Sequence, residues 1–128
     1  MMAALVLDTG ALIAADRDDR ALVAKLRMAQ RSGLELRTTG IVVAEAWRDE
    51  GGRQANLARL LRSIDVRAVD ERMGRQAGAL LAKSGTHDAA DATIVAAATT
   101  GDRILTSDPH DIGQLVNAAH RAIHVARC

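Results

Sequence analysis

The apolar run at residues 3–7 is the feature that most restricts how this chain can fold. It reads Ala-Ala-Leu-Val-Leu and ends at Asp8, so neither face of a strand built from it would carry a polar side chain. A strand that is apolar on both faces is typical of the centre of a parallel sheet with helices on both sides. The run therefore predicts a central strand with Asp8 at its carboxyl end.

Strand-like and helical segments alternate along the rest of the chain. Further strands are predicted at residues 34–37, 65–69, 103–106 and 122–125, and helices at 18–32, 38–49, 54–63, 70–83, 88–100 and 111–120. Strands joined through helices run parallel, so this order predicts an α/β fold with a mostly parallel sheet of four to five strands, covered on both sides. The alternation of apolar and charged residues at 34–37 indicates a more peripheral strand than the first.

Composition excludes several classes of protein. At 128 residues the chain fits one domain, which we expect to span residues 1–128, and its net charge of +1 provides no overall field for nucleic acid or an anionic membrane. The single cysteine, Cys128, excludes an intramolecular disulfide and a cysteine metal site. No Lys or Arg precedes the short apolar stretch 1–7, and the stretch ends at Asp8, so it resembles neither a signal peptide nor a membrane span. Because the lack of a disulfide is also compatible with a reducing compartment, we expect a cytoplasmic protein with no membrane partner.

Four acidic residues interrupt or end segments that otherwise resemble core: Asp8, Glu45, Asp91 and Asp108. In an open α/β sheet, ligands bind beyond the carboxyl ends of the strands. Asp8 and Asp108 both follow strands, and they lie side by side if the first and fourth strands are neighbours. Asp91 begins the helix before the fourth strand and can face them, while Glu45 must reach in from its own helix.

Such a group of acids predicts a cation. Two negative charges about 4 Å apart repel by roughly 4 kcal/mol at an effective dielectric constant near 20, so three or four carboxylates cannot share a pocket without compensation. All-oxygen ligation without cysteine favours a hard ion, Mg²⁺ or Mn²⁺. A carboxylate cluster with open water positions suits metal-assisted hydrolysis of a phosphodiester.

The acidic residues before the fourth predicted strand could also have purely structural roles. Asp8 could be a turn residue after a strand, and Glu45 could be a partly exposed surface residue. Asp88 fits a helix N-cap, and with Asp91 three residues later it imitates a capping box. We favour a structural role for Asp88, which could support the site, and a functional role for Asp91.

The segment around the fourth acid leaves two questions open. Asp108 precedes Pro109 and could cap the next helix, and Asp111 competes with it for the catalytic position. Thr106 is either an ordinary strand threonine or a hydroxyl that orients Asp8.

Four segments together resemble a known family. They are residues 5–9 (LVLDT), 42–46 (VVAEA), 91–98 (DATIVAAA) and 104–108 (ILTSD). In content, spacing and order they resemble PIN-domain ribonucleases, and most of all the VapC-type toxins of bacterial toxin–antitoxin pairs. The resemblance covers essentially the whole chain, and the last two segments are its most specific part.

The resemblance implies a three-layer α/β/α PIN-like fold and Mg²⁺-dependent hydrolysis of RNA. Asp8 and Asp91 would be the principal metal ligands, Asp108 would complete the site, and Glu45 would hold a second ion or position the attacking water. Thr106 would match the hydroxyl beside the first aspartate.

The resemblance also implies partners, and the sequence departs from the family at two places. Such toxins usually form homodimers and are neutralised by a cognate VapB-type antitoxin. Gly10 stands where a small polar residue is frequent, and the stretch 107–111 (SDPHD) leaves the fourth acid ambiguous.

Two alternatives come from other classes of protein. Asp8-Thr9-Gly10 also resembles the active-site loop of retroviral-type aspartic proteases, which are small all-β dimers. The chain could instead be a catalytically weak PIN-like binding module that acts through its antitoxin or an RNA surface. Replacement of Asp8 by asparagine would leave the effect of such a module intact.

Overall fold

The computed structural model describes residues 3–128, apart from the side chain of Glu50; Met1 and Met2, in the apolar stretch considered above, lie outside the described residues. Residues 3–128 contain five strands: β1 (Ala4–Leu7), β2 (Glu35–Thr39), β3 (Ile64–Arg67), β4 (Arg103–Thr106) and β5 (His124–Arg127). They form one sheet in the order β3-β2-β1-β4-β5, and every neighbouring pair is parallel. The predicted α/β class and parallel sheet are confirmed.

Within the part of the chain that the structure describes, seven α-helices surround the sheet: α1 (Thr9–Asp16), α2 (Arg20–Arg31), α3 (Gly40–Ala46), α4 (Ala55–Leu61), α5 (Glu71–Ser84), α6 (Ala89–Ala96) and α7 (Pro109–Ala119), with a short 3-10 turn at Glu50–Gly52. Right-handed crossovers in this strand order put α1 to α4 on one face and α5 to α7 on the other. The packing agrees, because α1 contacts α3 and α4, whereas α5, α6 and α7 contact one another. Among the described residues, no helix combines the length and apolar character needed to cross a membrane.

Strand β1 lies at the centre of the sheet, as its sequence predicts. All four of its residues are buried, and it pairs with β2 on one side and β4 on the other. Leu7 is in register with Leu105, and the N–H of Asp8 donates to the carbonyl of Leu105 at 3.2 Å. The first and fourth strands are therefore neighbours, and the residues that follow them meet at the carboxyl edge of the sheet.

Strand β2 is one place farther from the centre of the sheet than β1, as predicted, but it has no solvent-facing side. The strand lies inside the sheet between β1 and β3, and Arg37 is only 7% exposed. Its guanidinium donates from Nη1 to the carbonyl of Ala97 at 2.9 Å and to Asp102 Oδ2 at 3.2 Å. The charged residue that suggested a solvent-facing side is instead buried against a carboxylate, and a short alternating pattern cannot reveal such a partner.

Helix α1 does not appear in the sequence prediction. None of its residues is fully exposed, and Ala11, Leu12 and Ala15 are buried, so it has no polar face to give a helical periodicity. Other boundaries shift by a few residues. The helices predicted to reach residues 49 and 100 end at Ala46 and Ala96, and β5 begins two residues later than expected.

Candidate active site

Asp8 occupies the carboxyl end of β1, where it is 3% exposed. Its Oδ1 accepts the N–H of Ala11 at 2.8 Å, which caps helix α1. Its Oδ2 accepts the Thr106 hydroxyl at 2.6 Å and the N–H of Ser107 at 3.0 Å. These donors come from the start of α1 and from the end of β4, so they hold the Asp8 carboxylate in one orientation at the carboxyl edge.

Asp91, Asp108 and Asp111 form a second acidic group, which we call the three-carboxylate group. One carboxylate oxygen from each lies within 4.8 Å of the others. Asp91 lies in the first turn of α6, and Asp108 and Asp111 lie at the start of α7. The group therefore contains both of the residues between which the sequence left a choice.

Capping bonds help to position this group. Asp88 Oδ1 accepts the N–H of Asp91 at 3.0 Å, and Asp108 Oδ1 accepts the N–H of Asp111 at 3.3 Å. Asp108 thus caps a helix and also belongs to the three-carboxylate group. Asp88 has the N-cap position that its sequence context predicts.

The charge of Asp91 is unfavourable in this environment. Burial, followed by the negative charges of Asp88, Asp8, Asp108 and Asp111, raises the pKa of Asp91 from 3.8 to about 7. Asp8 is therefore close enough to Asp91 for their charges to interact. A bound cation would offset the repulsion between Asp91 and its acidic neighbours.

Glu45 approaches from α3 and is exposed at the surface. The hydroxyl of Thr9 donates a hydrogen bond to Glu45 Oε1 at 2.6 Å. Thr9 directly follows Asp8 in the chain, so this bond holds the Glu45 side chain beside the first turn of α1. Neither Glu45 nor Asp8 belongs to the three-carboxylate group. The prediction that Asp8, Glu45, Asp91 and Asp108 ligate one metal centre stays a prediction; below, "the acidic site" means these four residues and Asp111.

The three-carboxylate group could hold a metal ion. Its donors are all carboxylate oxygens, which hard divalent cations prefer, and the raised pKa of Asp91 reflects uncompensated negative charge. Asp91 and Asp111 are half-buried and Asp108 is exposed, so the group is open to solvent on one side. The residues present therefore fit a Mg²⁺ or Mn²⁺ ion.

The sequence prediction did not include Thr9 or Ser107. Thr9 follows Asp8 directly, and only the approach of α3 shows that its hydroxyl binds Glu45. Ser107 lies between Thr106 and Asp108 in one of the four segments that carry the family resemblance, yet no pattern in the sequence indicates that its N–H binds Asp8.

Comparisons with known proteins bear on the fold. No family model matches the sequence, and no curated protein matches it. The structure matches a chain of the crystal structure of VapBC2 from Rickettsia felis bound to a DNA fragment from their promoter, with a TM-score of 0.70 and 13% sequence identity over 97% of this chain and 98% of that one. The chain has a PIN-like fold. The three-layer PIN-like architecture implied by the four segments is thereby confirmed, and the PIN-like fold excludes the all-β fold of the protease alternative.

We expect Asp91→Asn to stabilise the metal-free PIN-like fold at pH 8. A carboxyl group whose pKa is raised from 3.8 to about 7 on folding destabilises the native state above pH 7, and this effect disappears below pH 4. Such a shift corresponds to about 4 kcal/mol at a fully buried site, and we expect about 1–2 kcal/mol here because half-exposed charges are screened by solvent. Thermal melts of both proteins in chelator at pH 8 and pH 4 would check this, and an equal difference in melting temperature at the two pH values would contradict it.

Proposed function

We propose that the chain is a Mg²⁺- or Mn²⁺-dependent endoribonuclease that acts as the toxin of a toxin–antitoxin pair. The single observation that carries the proposal is the three-carboxylate group beside Asp8 at the carboxyl edge of the sheet. The PIN-like fold supports it, because that fold is the one implied by the resemblance to VapC-type ribonucleases.

The three carboxylates of Asp91, Asp108 and Asp111 would hold the metal ion, and the nearby carboxylate of Asp8 would add negative charge to the site. When bound, a divalent ion supplies Lewis-acid activation of water and of the scissile phosphate, and it offsets the repulsion among the carboxylates. Asp8 keeps its orientation through Thr106 and Ser107, so it forms the rigid part of the site.

Glu45 has a separate role in this proposal. It is exposed, it lies outside the three-carboxylate group, and the Thr9 hydroxyl holds one of its two oxygens. Its remaining acceptor capacity would accept a hydrogen bond from the attacking water and orient that water toward the phosphate. This assignment follows the role that the sequence resemblance implies for Glu45.

Partners follow from the same proposal. The matched structure contains VapBC2 bound to a fragment of its promoter. We propose that this chain likewise pairs with a VapB-type antitoxin, whose binding blocks the acidic site, and that it forms a homodimer. Co-expression with the antitoxin would then suppress both RNA cleavage and growth arrest, and light scattering of the purified chain would give the mass of a dimer.

Removal of the metal is expected to abolish activity. The purified protein should degrade total RNA in buffer with Mg²⁺ or Mn²⁺ and lose this activity in excess chelator, because the carboxylates repel one another and the substrate when no cation is bound. Gel electrophoresis of the RNA would follow the reaction.

Return of the ion provides the control for this experiment. Mg²⁺ added beyond the chelator should restore cleavage, which separates loss of metal from irreversible unfolding. Cleavage that continues unchanged in chelator would remove the ion from the proposal.

A further inference from the structure

The backbone conformation at position 10 does not require a glycine. Gly10 lies inside α1 and does not have a positive φ, and glycine within a helix is destabilising relative to alanine. The packing explains its presence. A Cβ at this position would lie 2.2 Å from Ser107 Oγ and 2.6 Å from Ser107 Cβ. Gly10 therefore leaves the space that the Ser107 side chain occupies.

Ser107 lies next to the acidic site. Its N–H donates to Asp8 Oδ2 at 3.0 Å, and it lies between Thr106, which binds Asp8, and Asp108 of the three-carboxylate group. The residue is exposed, and its hydroxyl has no hydrogen-bond partner within residues 3–128. Its backbone is thus anchored, while its hydroxyl remains available to a ligand.

Other hydroxyls next to Asp8 are already engaged. The Thr9 hydroxyl donates to Glu45 at 2.6 Å, and the Thr106 hydroxyl donates to Asp8 at 2.6 Å. Carboxylates that hold a cation are ionised and only accept hydrogen bonds, so with the proposed metal bound the acids of the site offer no donor to the oxygens of an RNA phosphate. Ser107 supplies a neutral donor at a place where the surrounding charge is negative.

We propose that the Ser107 hydroxyl donates a hydrogen bond to a phosphate oxygen of RNA bound at the acidic site. On this proposal, position 10 is glycine because any side chain there would displace that hydroxyl. The identity of the ligand as RNA rests on the proposed ribonuclease function.

The first test compares Ser107→Ala with Ser32→Ala. Ser32 is also exposed, and it lies at the C-terminus of α2, before β2, at the opposite end of the sheet. We expect Ser107→Ala to lower kcat/KM for RNA cleavage by about tenfold, as loss of one hydrogen bond to a charged group does, and Ser32→Ala to leave it unchanged. The affinity for Mg²⁺, measured by calorimetry, should be the same in both variants.

A binding measurement separates substrate contact from catalysis. The Asp91→Asn protein should cleave RNA about a thousandfold more slowly than the wild type, so its affinity for a fluorescent, random-sequence single-stranded RNA pool can be measured by anisotropy before the RNA is degraded. Adding Ser107→Ala to that protein should weaken the affinity by a similar factor of about ten. Thermal melts would verify that each variant is folded.

Relocation of the hydroxyl tests the packing argument. Gly10→Ala should disrupt the site, because the new Cβ collides with Ser107. Gly10→Ala/Ser107→Gly removes the collision and the hydroxyl together, so its melting temperature should recover while cleavage stays low. Gly10→Ser/Ser107→Gly supplies a hydroxyl from the opposite side of the same space, and cleavage should rise above that of the alanine version.

The outcomes distinguish this proposal from the proposed function. If Ser107→Ala cleaves and binds RNA like the wild type, the Ser107 contact is overturned while the ribonuclease stands. If the wild type binds RNA in a Ser107-dependent manner without cleaving it, the ribonuclease fails and the contact stands. Absence of both cleavage and binding overturns both.

Discussion

Asp91→Asn is expected to reduce RNA cleavage by about a thousandfold, because it removes a ligand from the proposed metal centre while keeping the size of the side chain. Asp91 is affected by the negative charge of the other acids in the site, since burial and four neighbouring acids raise its pKa to about 7. Cleavage rates in Mg²⁺, and growth of cells that express each protein, would measure the effect. The same variant should bind Mg²⁺ more weakly and be more stable without metal, so unfolding would not explain the loss.

Asp70→Asn is a matched control for this experiment. Asp70 caps α5 by accepting the N–H of Met73 at 2.9 Å, and it lies outside the three-carboxylate group. Asparagine is an equally good N-cap residue, so this variant should cleave RNA at the wild-type rate. If Asp91→Asn still arrests growth as the wild type does, the chain acts as a binding module rather than as a nuclease.

Asp102→Ala is expected to destabilise the fold by about 3–5 kcal/mol, because it removes the one buried carboxylate that pairs with the buried guanidinium of Arg37. The two carboxylates that remain beside Arg37, Glu35 and Asp65, are both partly exposed to solvent. Asp102 is 3% exposed, and its carboxylate accepts hydrogen bonds from β1, from β2 and from the segment before β4. Its Oδ1 accepts the N–H of Ala4 at 2.8 Å, and its Oδ2 accepts the N–H of Thr99 at 2.8 Å and Nη1 of Arg37 at 3.2 Å. Urea denaturation would measure the loss of stability.

Asp65→Ala provides the comparison for a more exposed carboxylate next to the same arginine. Asp65 Oδ2 lies 3.6 Å from Nε of Arg37 and 2.6 Å from Nε of Arg67, and its side chain is 39% exposed. We expect a loss below about 1 kcal/mol, as for surface ion pairs. Equal losses for Asp65→Ala and Asp102→Ala would show that burial of the pair is unimportant.

A double variant tests the cause of the Asp102 effect. Arg37→Leu/Asp102→Ala removes the uncompensated charge, so it should recover part of the stability that Asp102→Ala loses. Recovery should be incomplete, because the N–H groups of Ala4 and Thr99 would still lack their acceptor.

Apart from α1, the order of strands and helices follows from local features of the sequence. The apolar run before Asp8 predicts the central strand, and it is buried along its whole length. Asp70 and Gly85 mark the two ends of α5, where their side chain and backbone satisfy local requirements of a helix terminus. Such signals act within a few residues, which is why the sequence alone indicates them.

Tertiary packing decided the features that depend on distant partners. Helix α1 is enclosed by other elements and shows no periodicity, and Arg37 is buried because Asp102 lies against it. The grouping of Asp111 with Asp91 likewise depends on how α6 and α7 pack. The sequence by itself determined which acids stand at the ends of strands and helices, because caps and periodicity are local. Only the tertiary structure decided which of those carboxylates meet, because the distances between them depend on contacts between residues far apart in the chain.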